Sequence, residues 1–168
     1  MFLYALLASV IAILLIFLAP LRAKVWVATS IISLAAIGAI FLAVSSLLGG
    51  EIMLAKFSTD MFGAERISVD AISALFLAII AIASVATIVY SRGYVEGYFK
   101  RFSPTHFSLH YTALVLLVVS MMMVVISSGG FSFLFAWELM TIASFILILF
   151  EADRQEVRRA ALNYLVMM

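Results

Sequence analysis

The sequence contains no cysteine and few charged residues. Without cysteine, the chain cannot form disulfides, ligate iron–sulfur clusters or carry out thiol chemistry. Charged residues make up 11% of the chain and hydrophobic residues 67%. In globular proteins, charged residues average about 25% and apolar residues about 45–50%. A basic patch for nucleic acid is absent, as are a Walker phosphate loop, a dinucleotide-binding glycine motif and a nucleophile–base pair. These absences argue against a soluble enzyme and against a nucleic-acid partner.

Long apolar runs dominate what remains. A bilayer core about 30 Å thick is crossed by roughly twenty apolar residues in a helix. Five runs are predicted to span it: residues 2–18, 25–48, 71–90, 111–126 and 131–150. The expected fold class is all-α, a polytopic transmembrane helix bundle without a separate soluble domain. Asp70 is expected to cap the third span. Between the second and third spans, the polar segment around Thr59 and Asp60 predicts either a short hairpin or a re-entrant loop.

Lysine and arginine set the expected orientation. Loops on one side hold Arg22, Lys24, Arg92, Lys100, Arg101, Arg154, Arg158 and Arg159. Loops on the other side hold Lys56 and Arg66. The positive-inside rule therefore places the N-terminus outside. A further apolar helix begins at Ala160 and is too short to cross the bilayer by Met168, so we expect five full spans, the start of a sixth, and a longer parent protein.

Glu138 is the residue most indicative of function. It lies inside the run 131–150, where a carboxylate costs roughly 2.5–3.5 kcal/mol to insert. Such residues usually face a bundle interior or a water path and mark functional sites. Thr141 and Ser144 follow three and six residues later and could hold water or share a proton with the carboxylate. The alternative is a structural carboxylate hydrogen-bonded between helices. The five runs contain no basic residue at membrane depth, so a cationic partner would come from a later helix or another subunit, unless Glu138 is simply protonated.

Two histidines stand four residues apart at the start of the fourth run. His106 and His110 could share one helix face. A metal site would need further ligands, and no acidic residue is nearby in sequence, so no metal site is predicted. Because histidine titrates near neutral pH, a proton-entry role is one hypothesis. The other is that both are ordinary interfacial residues.

Two segments resemble a known family. Residues 130–141 read GFSFLFAWELMT, and residues 150–167 read FEADRQEVRRAALNYLVM. Both resemble the proton-translocating antiporter-like subunits shared by respiratory complex I, Mrp antiporters and membrane-bound hydrogenases, above all the large membrane subunit of hydrogenase-4 and formate hydrogenlyase. Residues 67–76 (ISVDAISALF) and 91–94 (SRGY) resemble the segments that open and close the family's third helix. The resemblance covers most of the chain from residue 67 onward.

The resemblance implies a domain organisation and a site. In that family, a glutamate on the fifth helix lies in a hydrophilic axis along the membrane and pairs with a lysine on a later helix; Glu138 occupies the matching position. Residues 1–66 would form an N-terminal transmembrane pair with an extracytoplasmic loop, and residues 67–168 the truncated start of the antiporter-like domain. The chain itself would hold no cofactor and no redox site. Iron–sulfur, nickel–iron or flavin centres would belong to partner subunits of a respiratory or hydrogenase complex in a prokaryotic plasma membrane.

The leading hypothesis is therefore a membrane subunit of a redox-driven proton pump of the hydrogenase or NADH-quinone oxidoreductase type. Glu138 would be its buried proton-relay carboxylate. An Mrp-type cation/proton antiporter subunit is the first alternative, and sodium-dependent exchange without an electron donor would favour it. A structural membrane subunit that transports nothing is the second.

Overall fold

The computed structural model describes residues 15–59, 63–98, 101–151 and 153–167. Most of the predicted first span, residues 2–18, lies outside the described residues, which begin with a helical turn at residues 15–18. The elements that follow are helix α1 (Leu21–Gly49), strands β1 (Ile52–Thr59) and β2 (Gly63–Val69), helices α2 (Ala71–Glu96), α3 (Pro104–Ile126) and α4 (Gly130–Ile148), a 3₁₀ turn (Leu149–Glu151) and helix α5 (Gln155–Met167).

The chain is mostly helical, and within the described residues four stretches of helix are long and apolar enough to cross a membrane: Ala23–Gly49, Ala71–Glu96, Pro104–Ile126 and Gly130–Ile148. These correspond to the second to fifth predicted spans. Many large apolar side chains on their outer faces are exposed. That pattern is expected for helices surrounded by lipid, because lipid tails are as apolar as leucine. The first predicted span, the start of a sixth and the outward N-terminus stay predictions.

Four helix boundaries differ from those expected by four residues or more. Helix α1 begins at Leu21 and not at residue 25. Helix α3 begins at Pro104 and not at residue 111, because proline suits the first helical turn, where its missing N–H would be unpaired anyway. Helix α2 continues past residue 90 to Glu96. Helix α5 begins at Gln155 and not at Ala160, with Glu156 in its first turn, where negative charge is favoured. Hydropathy alone predicted helices that are too short at these ends, because the terminal turns contain more polar residues than the middle of each helix.

A β-hairpin connects α1 to α2, so of the two alternatives for this segment the hairpin is confirmed and the re-entrant loop is wrong. The described chain is otherwise mostly helical, as expected. Strands β1 and β2 pair in antiparallel register from Ile52 opposite Val69 to Thr59 opposite Gly63. Asp60 lies outside the described residues. As expected, Asp70 caps α2, because its Oδ1 accepts a hydrogen bond of 2.7 Å from the Ser73 amide. The hairpin therefore sits across one end of the helix bundle.

The core has two parts. Near the hairpin, α1 and α2 approach closely through alanines, with Leu77 filling the space between them. At the opposite end, larger side chains of α1, α2 and α3 meet Phe150 of the 3₁₀ turn. Helix α4 packs mainly against α3, to which it is joined by a three-residue linker, residues 127–129. Few of the described residues cover the other faces of α4.

Candidate functional site

Glu138 lies at the middle of α4. It is the ninth residue of the 19-residue helix Gly130–Ile148. At 1.5 Å per residue it stands about 12 Å from the first residue of the helix and about 15 Å from the last. Neither helix end is near enough to supply free backbone N–H groups to the carboxylate. The expectation that this acid is at membrane depth is therefore consistent with the length and position of α4.

The Glu138 side chain is exposed on the face of α4 that turns away from α3. Ala136, buried against the bundle, is two residues earlier, which is about 200° around the helix. Glu138 makes no hydrogen bond and no ion pair with the described residues. The described elements thus leave this face of α4 open.

Thr141 and Ser144 do not contact the Glu138 carboxylate. Thr141 is buried, and its hydroxyl donates to the Trp137 carbonyl oxygen at 3.1 Å. The Ser144 hydroxyl donates to the Met140 carbonyl oxygen at 2.9 Å. Both hydroxyls therefore satisfy themselves on the backbone of their own helix, as serine and threonine commonly do in membrane helices. Helical spacing predicted that both side chains lie near Glu138, but it did not indicate that backbone carbonyl oxygens would compete for their hydroxyls.

The two histidines are held in different environments and do not form a pair. His106 is exposed, and its Nδ1 lies 3.1 Å from the Ser103 hydroxyl. His110 is half-buried, with Nε2 3.1 Å from the Ser91 hydroxyl of α2 and its ring centroid 4.7 Å from that of Phe150. Since Phe150 comes more than three helical turns after Glu138, neither histidine is brought to the carboxylate. Among residues 15–59, 63–98, 101–151 and 153–167, no group of three or more metal-ligating side chains comes together.

His110 lines a pocket of about 320 Å³ at the end of the bundle opposite the hairpin. Its Nδ1 is buried and has no hydrogen-bond partner among the described residues. The rest of the lining is mostly apolar: Tyr94, Leu147, Ile148, Phe150, Val157 and Ala160. This pocket is separate from the Glu138 face.

Glu65 is a buried charged residue that sequence reasoning missed. Its carboxylate, on β2, is 1% exposed and accepts hydrogen bonds from the Phe131 amide at 3.1 Å and the Ser132 amide at 3.2 Å. The Ser132 hydroxyl donates a third at 2.6 Å. The hydrogen bond from that hydroxyl, followed by those from the two amides, holds the pKa of Glu65 below its usual value, against the opposing effect of burial. Glu65 therefore caps the N-terminus of α4, the helix that carries Glu138.

The cap of α4 leaves a signal in the sequence. The residue before the helix is Gly129, which has no side chain to cap it. A serine, threonine, aspartate or asparagine usually stands there. A glycine pair opening an apolar helix could therefore have indicated a cap from elsewhere in the chain, although not which residue supplies it.

Lys24 is the second missed residue. It was assigned to a loop, but it lies in the first turns of α1 and is 4% exposed. Its Nζ donates to the carbonyl oxygens of Ile16 at 2.9 Å and Phe17 at 3.1 Å, and to the Ser108 hydroxyl of α3 at 2.7 Å. Pro20 is four residues after Ile16 and has no N–H to offer its carbonyl. Lys24 supplies that missing donor and joins the helical turn at residues 15–18 to α3.

Known proteins similar to the chain are much longer than the matched part. No protein-family model matches the chain. NADH-ubiquinone oxidoreductase chain 5 of Ascaris suum is 35% identical over 85 residues, which are 51% of this chain and 14% of that protein. Two uncharacterized proteins of Mycobacterium tuberculosis, from two strains, are each 45% identical over 75 residues, or 44% of this chain and 11% of each relative. The chain thus matches 14% or less of the length of these relatives.

Proposed function

We propose that the chain is part of a membrane subunit of a redox-driven proton pump, of the NADH-quinone oxidoreductase or hydrogenase type. In this proposal, Glu138 is a proton-relay carboxylate. The similarity to NADH-ubiquinone oxidoreductase chain 5 and the four helices long enough to cross a membrane support the class of protein. The observation that carries the relay role is the position of Glu138 at the centre of an apolar helix.

The cost of that position is the physical argument. A carboxylate facing hydrocarbon at mid-membrane is expensive, and such residues almost always face a bundle interior or a water-filled cavity. Thr141 and Ser144 do not offset this cost, because both donate to their own helix backbone. We therefore infer that a segment or subunit outside the described residues covers the Glu138 face and supplies water or a cationic side chain. A proton can then pass between the carboxylate and that partner.

The same proposal places the electron-transfer chemistry elsewhere. The chain has no cysteine to hold an iron–sulfur cluster. Iron–sulfur, nickel–iron or flavin centres would lie in partner subunits, and the complex would reside in a prokaryotic plasma membrane. Redox turnover and proton movement are then separable quantities, and only proton movement should depend directly on Glu138.

The test is Glu138→Gln in the intact complex reconstituted in vesicles. We expect redox turnover to continue while the number of protons moved per electron falls. Glu138→Asp keeps a titratable group and should retain part of the proton movement. The control is Glu156→Gln, which removes an exposed carboxylate from α5 and should change neither quantity. Unchanged proton movement in Glu138→Gln would rule out the relay role, and loss of the assembled complex in both Glu138 variants would favour a structural carboxylate.

A further inference from the structure

The hairpin is fastened to the start of α4 by several independent contacts. Besides the three hydrogen bonds accepted by Glu65, the Ser128 amide donates to the Arg66 carbonyl oxygen at 2.9 Å. The hydroxyls of Ser68 and Ser128 lie 3.2 Å apart, and Ile67 forms a β-bridge with Ser127. Strand β2 therefore holds both the linker that precedes α4 and the first turn of the helix.

The fit around Glu65 is tight. A Cβ atom built on Gly129 would overlap the Glu65 carboxylate, the most distant of whose three atoms would be 2.8 Å away. On Gly130, the next residue, a Cβ atom would meet nothing within 4 Å. The carboxylate thus lies directly against the backbone before α4 and cannot shift along the helix without losing its donors. A contact of this kind fixes α4 along its axis as well as capping it.

Helix α4 has few other contacts of this kind. Its packing against α3 is apolar, through residues such as Ala136 and Ala143. Apolar contacts are non-directional, so they define the axial position of a helix less sharply than charge-assisted hydrogen bonds do. Glu138 is six and seven residues beyond the two capped amides, or about 9–11 Å along the helix. Any axial shift of the first turn is carried over that short, rigid distance to the carboxylate.

From this geometry we infer that Glu65 is a positioning residue, which sets the depth of Glu138 in the membrane by anchoring α4 to the hairpin. The inference rests on the proposed relay role of Glu138. Glu65 acts as a permanent anchor and not as a pH switch. Its pKa is held below the usual value, first by the Ser132 hydroxyl, so the carboxylate is ionised at neutral pH.

The functional test compares protons moved per electron in the intact complex for Glu65→Ala and Asp70→Ala. Both variants remove a capping carboxylate from the same end of the bundle, but Asp70 caps α2 and not α4. We expect Glu65→Ala to lower the number of protons moved per electron by on the order of tenfold to a hundredfold, since misplacement of a reacting group by about 1 Å can slow its step by that much. Asp70→Ala should leave the ratio unchanged. An equal loss in both variants would overturn the inference, because it would reflect general loosening.

A double variant separates positioning from helix capping. Gly129 has extended backbone angles, φ −102° and ψ 149°, which suit a capping side chain. Gly129→Asp combined with Glu65→Ala should restore the cap from within the helix, because removing the Glu65 side chain frees the space. It cannot restore the link to the hairpin. Recovered thermal stability with a low proton-to-electron ratio is the expected result, and recovery of both would overturn the inference.

A direct distance measurement keeps the inference testable even if Glu138 proves not to move protons. Because the chain has no cysteine, Lys56→Cys on β1 and Ile142→Cys on α4 provide two unique sites for nitroxide labels. Glu65→Ala should shift or broaden the distance distribution between the labels, and Asp70→Ala should not. If Glu65→Ala prevents assembly, Glu65→Gln keeps the volume and one acceptor oxygen. An unchanged distribution in the Glu65 variant would refute the positioning role, whatever Glu138→Gln does.

Discussion

Replacing Gly129 with alanine puts a methyl group where the Glu65 carboxylate lies. Even the most distant of the three carboxylate atoms would be 2.8 Å from the new Cβ. Real Cβ atoms essentially never approach another heavy atom closer than 3.0 Å. Either the carboxylate moves and loses its donors at Phe131 and Ser132, or the backbone of the linker moves. Overpacking of this kind typically costs about 1–3 kcal/mol. We therefore expect the melting temperature of the complex to fall.

The assay is thermal unfolding of the purified complex in detergent, with Gly130→Ala as the matched control. Gly130 is the first residue of α4, has free space around its Cβ position and should tolerate alanine, the best helix former. In a Glu65→Ala background, Gly129→Ala should cost little, since the clash partner is gone. The two substitutions should therefore be strongly non-additive. Equal melting temperatures for Gly129→Ala and Gly130→Ala, or additive losses in the double variant, would show that the contact is not formed.

Two further predictions concern the buried charges. Hydrogen bonding, from the Ser132 hydroxyl first, lowers the pKa of Glu65 from 4.5, so its contribution to stability should be complete above about pH 4.5 and lost as the pH falls below it. The melting temperature of the native chain should therefore drop more on acidification than that of Glu65→Gln, and parallel curves would contradict this. Lys24→Met leaves buried acceptors unpaired and should cost about 1–3 kcal/mol, measured by thermal unfolding. Lys56→Met, at an exposed position on β1, should stay within about 0.5 kcal/mol; equal losses would refute the role of Lys24.

Local signals in the sequence predicted several elements well. Asp70 was expected to cap α2, and it does so because an aspartate before an apolar run can accept from the first free amides. The polar segment around Thr59 and Asp60 allowed a hairpin, and the structure forms one. The linker between α3 and α4 is three residues long, 127–129, and so short a connection leaves the two helices packed side by side. In each case, the physical cause lies within a few residues in the chain.

The polar contacts of the candidate site could not be predicted in this way. Glu65 meets Ser132 across 67 positions of sequence, and Lys24 meets Ser108 across 84. Neither spacing carries a periodic signal, so both depend on tertiary packing. The hydrogen bond of the Thr141 hydroxyl was missed for a local reason instead. Thr141 follows Glu138 by three residues on the same helix, but a local backbone acceptor competes for its hydroxyl, and spacing does not reveal which acceptor is bound.

Glu65, Lys24 and Glu138 differ in the hydrogen-bond partners that the fold offers to their charged groups. Glu65 meets the amides at the start of a helix, where the helix dipole is positive. Lys24 meets the carbonyl oxygens of the turn at residues 15–18, where a helix ends and the dipole is negative. Both charges are therefore stabilised by helix ends of opposite sign, and neither pairs with a charged side chain among the described residues. Glu138 is at mid-helix, where all backbone groups are already paired. A helix end cannot satisfy it, and our proposal assigns that role to another side chain or to water, which distinguishes Glu138 from the two anchoring residues.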